Sequence, residues 1–123
     1  MVEKGMKHNS IMRVEEGNTA EFIGSGDMAV LATPAMVALM ENAAMLAVAL
    51  HLDEGETTVG SMISTSHLKP SKVGSIIEAR AELIEVDGRR LEFKIEAYDG
   101  QRLIGEGTHT RFVVNREKFL SKL

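Results

Sequence analysis

Three residues differ in chemical type from the residues around them and could take part in a reaction. Glu41 lies inside an apolar run, Met28–Leu50, where an ionised carboxylate is costly unless it is paired or hydrogen-bonded. Thr33 precedes Pro34 at the expected start of a helix, where a hydroxyl and free amides could stabilise a developing oxyanion. His67 lies near the end of an expected strand and could serve as an acid and base. These residue types suit a nucleophile or general base, an anion site and a proton carrier.

Each of the three residues also has a purely structural interpretation, which the residue pattern alone leaves open. Glu41 could face solvent beside Asn42, Thr33 could simply cap the helix, and His67 could be a structural histidine. Thr33 and Glu41 are eight residues apart, which corresponds to roughly 12 Å along a helix axis. They therefore cannot meet through the helix alone.

The other histidines and the glycines give weaker signals. None of His8, His51 and His109 has metal-ligand spacing with another His, Asp or Glu, so no metal site is expected. His109, in a strand without a matching motif, is expected to affect stability rather than catalysis. No Gly-rich phosphate motif is present, and no cofactor is expected. Gly60, early in the strand of His67, indicates either a bulge or a place where a ligand approaches the backbone closely.

Length and composition limit the class of protein. The 123 residues suit one domain, 1–123, and 44% apolar with 26% charged residues are typical of a soluble globular protein. A net charge of −4 argues against a nucleic-acid partner. The absence of cysteine excludes a thiol nucleophile and fits the cytoplasm, which is the expected location. Because the apolar run is interrupted by Pro34, Glu41 and Asn42, neither a membrane span nor a membrane partner is expected.

The order of elements predicts an α+β architecture. Residues 1–10 are expected to form a loose arm, followed by two short strands, Met12–Glu15 and Ala20–Ile23. A long helix is predicted from about Pro34 to His51, with Thr33 as its N-cap. Asp87-Gly88 and Asp99-Gly100 predict tight antiparallel turns. They separate strands among four that are predicted after the helix, at Thr57–Leu68, Ser75–Val86, Arg90–Tyr98 and Arg102–Val114.

The predicted helix is apolar on nearly every face, which has a consequence for assembly. One sheet can cover only one face of a helix, so the remaining apolar surface needs another partner. The simplest solution is an obligate homodimer, in which a second sheet joins the first edge to edge or a second helix packs alongside. Whether two dimers pair further is left open by the sequence.

Four segments resemble the fluoroacetyl-CoA thioesterase family of hotdog-fold proteins. Three features carry the resemblance: a Thr before Pro (Thr33), a helical Glu eight residues on (Glu41) and a strand His a further twenty-six residues on (His67). Gly60, seven residues before His67, matches a glycine that lies beside the thioester in this family. The resemblance covers about residues 12–115, through ATPAMVALMENAA (Ala32–Ala44), GETTVGSMISTSHLKPSKVGS (Gly55–Ser75), AELIEVDGRRLEFKIEAYDG (Ala81–Gly100) and LIGEGTHTRFVV (Leu103–Val114).

The resemblance implies a hotdog fold, in which a sheet of about five strands wraps a long central helix and two subunits share one continuous sheet. It also implies an acyl-CoA thioesterase with Thr33, Glu41 and His67 as reactive residues and Gly60 beside the substrate, assembled at the subunit interface. Glu41 would attack the thioester or activate water, Thr33 would hold Glu41 or the oxyanion, and His67 would move protons. A carboxylate next to His67 would raise its pKa above the reference value of about 6.5.

One departure from the family pattern bears on the substrate. Members selective for the fluorinated substrate carry a phenylalanine-bearing lid between the first strand and the helix, whereas this chain has GSGDM (Gly24–Met28), with Phe22 as its nearest aromatic. A short or medium acyl-CoA is therefore expected as substrate in place of the fluoroacetyl thioester. Two other functions remain open: a hotdog hydratase or dehydratase, and a non-catalytic acyl-CoA binding module.

Overall fold

One antiparallel sheet of five strands carries a long helix on one face, as described for residues 1–123 by a computed structural model. The strands are β1 (Lys7–Arg13), β2 (Glu56–His67), β3 (Ile76–Asp87), β4 (Arg90–Asp99) and β5 (Arg102–Asn115). The helices are α1 (Ala20–Ile23), α2 (Thr33–Ala49) and α3 (Arg116–Ser121), and a 3-10 turn covers Glu16–Asn18. The predicted α+β class, with its long helix and antiparallel strands, is confirmed.

The order of strands across the sheet is β1-β3-β4-β5-β2. Because α2 follows β1 and precedes β2 in the chain, the helix links the two opposite edges by crossing the sheet face. The predicted hairpins β3–β4 and β4–β5 turn at glycines in the left-handed region, Gly88 (φ 61°) and Gly100 (φ 63°). A side chain at either position would strain the backbone, which explains the Asp-Gly turn signals.

One face of α2 packs on the sheet and the opposite face does not. In the single chain Leu46 is 39% exposed and Leu50, just after the helix, is 95% exposed. The helix is therefore not covered on all sides by its own sheet, as the sequence anticipated. No helix of the protein is both long and apolar enough to cross a membrane. The face that contacts the sheet is formed by Met36, Leu39, Met40, Ala43, Ala44, Ala47 and Val48.

The N-terminal region differs from the prediction in two places. The expected loose arm at 1–10 contains most of β1, a polar edge strand that pairs with β3 from Lys7↔Glu82 to Arg13↔Ile76. Its residues are mostly polar and exposed, so the sequence shows no apolar alternation that would predict a strand here. The predicted strand Ala20–Ile23 is wrong, because this segment is the helix α1. Thr19 caps α1 by accepting from the Phe22 amide at 3.4 Å, and Gly24 (φ 92°) ends it.

Candidate active site

Thr33 and His67 form the first of two polar groups. Thr33 is the first residue of α2 and His67 the last of β2, and Thr33 Oγ1 lies 2.7 Å from His67 Nδ1. The prediction that Thr33 is the N-cap is wrong: Ala32 holds that position, and the Thr33 hydroxyl turns to the imidazole. When the imidazole proton is on Nε2, Nδ1 can accept the hydroxyl proton. A hydroxyl and a base in this contact match the geometry of an activated nucleophile.

The imidazole of His67 is kept neutral by its surroundings. Burial lowers the pKa of His67 below 6.5, and the backbone of Lys69 offsets part of this effect. Nε2 is buried and has no hydrogen-bond partner. No carboxylate of the same chain contacts the ring, so the pKa is lowered, in contrast to the rise expected from an adjacent carboxylate. A neutral imidazole is the form that can accept a proton.

A cavity of about 300 Å³ opens beside this pair. Lys69 contributes a cation to its wall, and the segment between β1 and α2 contributes only small or aliphatic side chains. The cavity can therefore admit a small acyl group to the hydroxyl and the imidazole. Its walls are formed by Ala20, Ser25, Val30, Leu31, Thr33, His67, Leu68, Lys69 and Pro70.

Glu41 belongs to a second polar group, on the middle of α2 and the neighbouring strands. Glu41 Oε2 lies 4.0 Å from both His109 Nε2 and Arg111 Nη1, and 41% of the Glu41 side chain is exposed. A Cβ added to Gly60 would lie 3.0 Å from Glu41 Oε2, so only glycine leaves this space open. In the single chain the Glu41 carboxylate is thus partly solvated, and it faces two basic side chains without a direct hydrogen bond to either.

Arg111 is held by three hydrogen-bond contacts, two to Thr58 and one to His109. Its Nε donates to Thr58 Oγ1 at 2.8 Å, Nη2 donates to the Thr58 carbonyl at 3.0 Å, and Nη1 lies 3.2 Å from His109 Nε2. His109 Nδ1 lies 2.7 Å from the carbonyl of Met62. Burial lowers the pKa of Arg111, and the charge of Glu41 counteracts this. The guanidinium is therefore a buried cation with a fixed orientation.

Two members of this second group, His109 and Arg111, were not predicted as site residues, although the sequence carries a signal for them. His109 and Arg111 are two positions apart on β5, so their side chains share one face of the strand. Both are buried, at 1% and 6% exposure. Two basic residues on an inward face require polar partners, and Glu41 is the nearest carboxylate. The bulge interpretation of Gly60 is confirmed, since the β2–β5 register shifts between Gly60 and Met62.

The single chain does not bring all the predicted site residues together. Thr33 meets His67, and Glu41 meets Gly60, but seven positions of β2 separate Gly60 from His67, about 23 Å along a strand. Glu41, on α2, and His67, the last residue of β2, therefore do not meet within one chain. No group of three or more His, Cys, Asp or Glu side chains is arranged to hold a metal ion.

Several solved structures with the same architecture are thioesterases. The chain superimposes with a TM-score of 0.92 on a threonine-to-serine mutant of the fluoroacetyl-CoA thioesterase FlK in complex with acetyl-CoA, at 33% identity over 98% of this chain and 96% of that chain. A hypothetical protein of Thermus thermophilus, a thioesterase superfamily member, gives 0.91 at 27% identity over 99% and 90%. Fold and site together define a thioester hydrolase of the hotdog class.

The family is shown by sequence. A family model for the fluoroacetyl-CoA-specific thioesterase FlK matches residues 14–117. The fluoroacetyl-CoA thioesterase of Streptantibioticus cattleyicolor is 43% identical over 94 residues, which is 76% of this chain and 68% of that protein. The chain belongs to the FlK family of fluoroacetyl-CoA-specific thioesterases.

Proposed function

We propose that this enzyme hydrolyses a short or medium acyl-CoA to the free acid and CoA, with Thr33, Glu41 and His67 as its reactive residues. The 2.7 Å contact between Thr33 Oγ1 and His67 Nδ1, beside a cavity of about 300 Å³, is the observation that carries the proposal. In the first turn of α2, Pro34 has no N–H and the next two amides donate to the Ala32 carbonyl, so the Thr33 amide is the one left to stabilise the oxyanion that forms when the thioester carbonyl is attacked. The neutral imidazole can take up a proton and return it to the departing thiolate of CoA.

A homodimer would complete this site. Within one chain Glu41 lies beside Gly60, seven positions of β2 away from His67. In addition, α2 leaves Leu46 exposed, and β2 is an edge strand of the sheet. A second copy that covers the helix and extends the sheet would place the partner subunit's Glu41 opposite Thr33 and His67. The thioester would then lie between the imidazole on one side and the carboxylate on the other.

In the first assignment of roles, Glu41 attacks or activates the attacking water. Attack by the carboxylate on the carbonyl carbon gives an anhydride as the C–S bond breaks, and water then releases the acid. Alternatively the carboxylate takes a proton from a water molecule that attacks directly. In either case Thr33 supports the oxyanion, and His67 takes up a proton released from the hydrolytic water and passes it to the thiolate.

The Thr33–His67 contact favours a second assignment. A hydroxyl 2.7 Å from a neutral imidazole nitrogen is placed to lose its proton as it attacks, which would give an acyl ester on Thr33. Mass spectrometry of enzyme quenched during turnover separates the routes. An acyl group on Thr33, an acyl group on Glu41, and an unmodified chain correspond to the three mechanisms.

The acyl group is proposed to be unfluorinated. The segment of Gly24–Met28 carries no phenylalanine, and where it reaches the cavity it contributes Ser25. Phe22 is 64% exposed and does not line the cavity. With no aromatic wall to distinguish fluoroacetyl from acetyl, we expect kcat/KM for the two CoA thioesters to differ by less than about tenfold, close to the effect of one small group in a pocket.

A panel of acyl-CoAs, including acetyl-, fluoroacetyl-, butyryl- and octanoyl-CoA, assayed for thiol release tests the proposal. Release of CoA with saturation kinetics from a short or medium member supports it. Hydration or dehydration of an enoyl or hydroxyacyl thioester without thiol release would favour the hydratase alternative. Tight binding without turnover of any member would favour a binding module.

A further inference from the structure

His109 is a buried histidine that the proposed mechanism does not use. It lies on β5 with 1% exposure, and its ring faces Met62 of β2, Phe93 of β4 and Glu41 of α2. The charged side chains that face it are Arg111 from its own strand, Glu41 from α2 and Glu92 from β4. The burial of a histidine among these charged groups, 4.0 Å from Glu41, requires a physical explanation.

The two ring nitrogens of His109 have distinct roles that their partners determine. A carbonyl can only accept, so Nδ1 must donate to the Met62 carbonyl at 2.7 Å. A guanidinium can only donate, so Nε2 must accept from Arg111 Nη1 at 3.2 Å. Burial, and secondarily the charge of Arg111, lowers the pKa of His109, in agreement with a neutral ring.

The hydrogen bond to His109 Nε2 fixes the position of the Arg111 guanidinium. Nε and Nη2 are both held by Thr58, which leaves Nη1 as the nitrogen that faces His109 and Glu41. Nη1 is 4.0 Å from Glu41 Oε2, about 1 Å longer than a direct charge-assisted hydrogen bond. Without an acceptor at His109 Nε2, the most favourable hydrogen-bond partner of Arg111 Nη1 would be the Glu41 carboxylate, and the two groups would move into direct contact. A carboxylate in a direct ion pair is a weaker base and a weaker nucleophile.

We propose that His109 is a positioning residue for Glu41, which acts by holding Arg111 Nη1 away from the carboxylate. The cation stays 4.0 Å from the carboxylate and does not occupy the oxygen that reacts. This inference rests on the proposed function, because it assumes that Glu41 attacks or activates water.

Two amide variants separate this role from a purely structural one. In His109→Gln the amide oxygen reaches the position of Nε2 and can accept from Arg111, whereas in His109→Asn the amide reaches only the position of Nδ1 and can donate to Met62. We expect His109→Gln to keep kcat within about threefold of wild type, and His109→Asn to lower kcat about tenfold or more with little change in KM. His8→Ala, on the exposed part of β1, is the control.

The reverse order of the two variants would overturn the inference, because it would mean that the contact with the Met62 bulge is the important one. The difference between Gln and Asn should also disappear in an Arg111→Met background, since His109 acts through that arginine. If His109→Asn does not fold, a crystal structure of His109→Gln tests the inference through the distance between Arg111 Nη1 and the Glu41 carboxylate. A guanidinium that stays near 4 Å from Glu41 supports the inference, and one that closes below 3 Å contradicts it.

Glu41→Gln and wild type measured in the same assay keep this inference distinct from the proposed function. If wild type releases no thiol, or if Glu41→Gln retains full turnover, both the role of Glu41 and the inference on His109 fail. If Glu41→Gln is inactive but the two His109 variants behave alike, only the inference fails.

Discussion

Burial decides the protonation state of the two histidines nearest the candidate reactive groups. His67 and His109 both have lowered pKa values because their rings are desolvated, and both can therefore accept a hydrogen bond at neutral pH. Glu41 is in a different situation, since 41% of its side chain is exposed in the single chain. The carboxylate is therefore not the fully buried charge that its apolar sequence neighbours suggested.

Glu41→Gln should remove most turnover and leave the fold intact. The amide keeps the shape of the side chain but cannot attack a carbonyl or take a proton from water, so we expect kcat to fall by about 100-fold or more. Thiol release from a good acyl-CoA substrate measures the effect. Glu54→Gln, at an exposed loop position, makes the same chemical change and should leave kcat unchanged. A folded Glu41→Gln enzyme with normal kcat would exclude Glu41 from the reaction.

His67→Ala should lower kcat about 100-fold or more, because no other imidazole contacts Thr33. The pH dependence of wild type gives an independent test. His67 must be neutral to act as a base and its pKa lies below 6.5, so kcat/KM should stay high at pH 6.5 and decline only at lower pH. A decline centred above pH 6.5 would show that a carboxylate lies directly against the ring. His8→Ala serves as the control, since His109 lies too close to Glu41 for that purpose.

At the scale of elements, strand β2 connects the two polar groups. Its last residue, His67, meets the start of α2, and its bulge between Gly60 and Met62 meets Glu41 and His109. The bulge breaks the register with β5, so the Met62 carbonyl can accept from His109 while Gly60 leaves room for the carboxylate. One strand therefore sets the positions of both ends of the candidate site.

Gly60→Ala should impair catalysis more than folding. Its new Cβ would lie 3.0 Å from Glu41 Oε2, 3.2 Å from His109 Cε1 and 3.3 Å from Arg111 Nη1. The flexible Glu41 side chain can move by a few tenths of an ångström, so the melting temperature should change little while kcat/KM falls about tenfold. Gly17→Ala, which meets nothing within 4 Å, is the matched control. Equal kinetics for the two alanine variants would show that the space at Gly60 is not used.

At the scale of the whole molecule, one sheet and one crossing helix leave apolar surface uncovered. The sheet face of α2 is buried, but Leu46 and Leu50 remain exposed, and so does Met62 (52%) on the edge strand β2. The homodimer predicted from the sequence, and the cytoplasmic location, stay predictions. The separation of Glu41 from His67 within one chain adds a functional reason for a second copy.

Leu46→Glu should weaken the dimer and reduce activity together. A charge on the uncovered face of α2 would oppose contact with an apolar partner surface, so sedimentation at micromolar concentration should show monomer where wild type shows dimer. Leu123→Glu, at the exposed C-terminus, is the control and should sediment as wild type. A wild-type enzyme that is active as a monomer would contradict both the dimer and the shared site.

The sequence by itself determined the elements that depend on local patterns. The long helix, the four strands after it and the Asp-Gly turns follow from apolar periodicity and from glycine conformations, and the spacing of Thr33, Glu41 and His67 identified the family. Only the tertiary structure decided the features that arise between distant segments. Strand β1 depends on pairing with β3, Thr33 turns to His67 across 34 residues, and His109 and Arg111 reach Glu41 from the far end of the chain. A local pattern records whether a side chain points inward, but which group it meets there depends on the packing of the whole sheet against the helix.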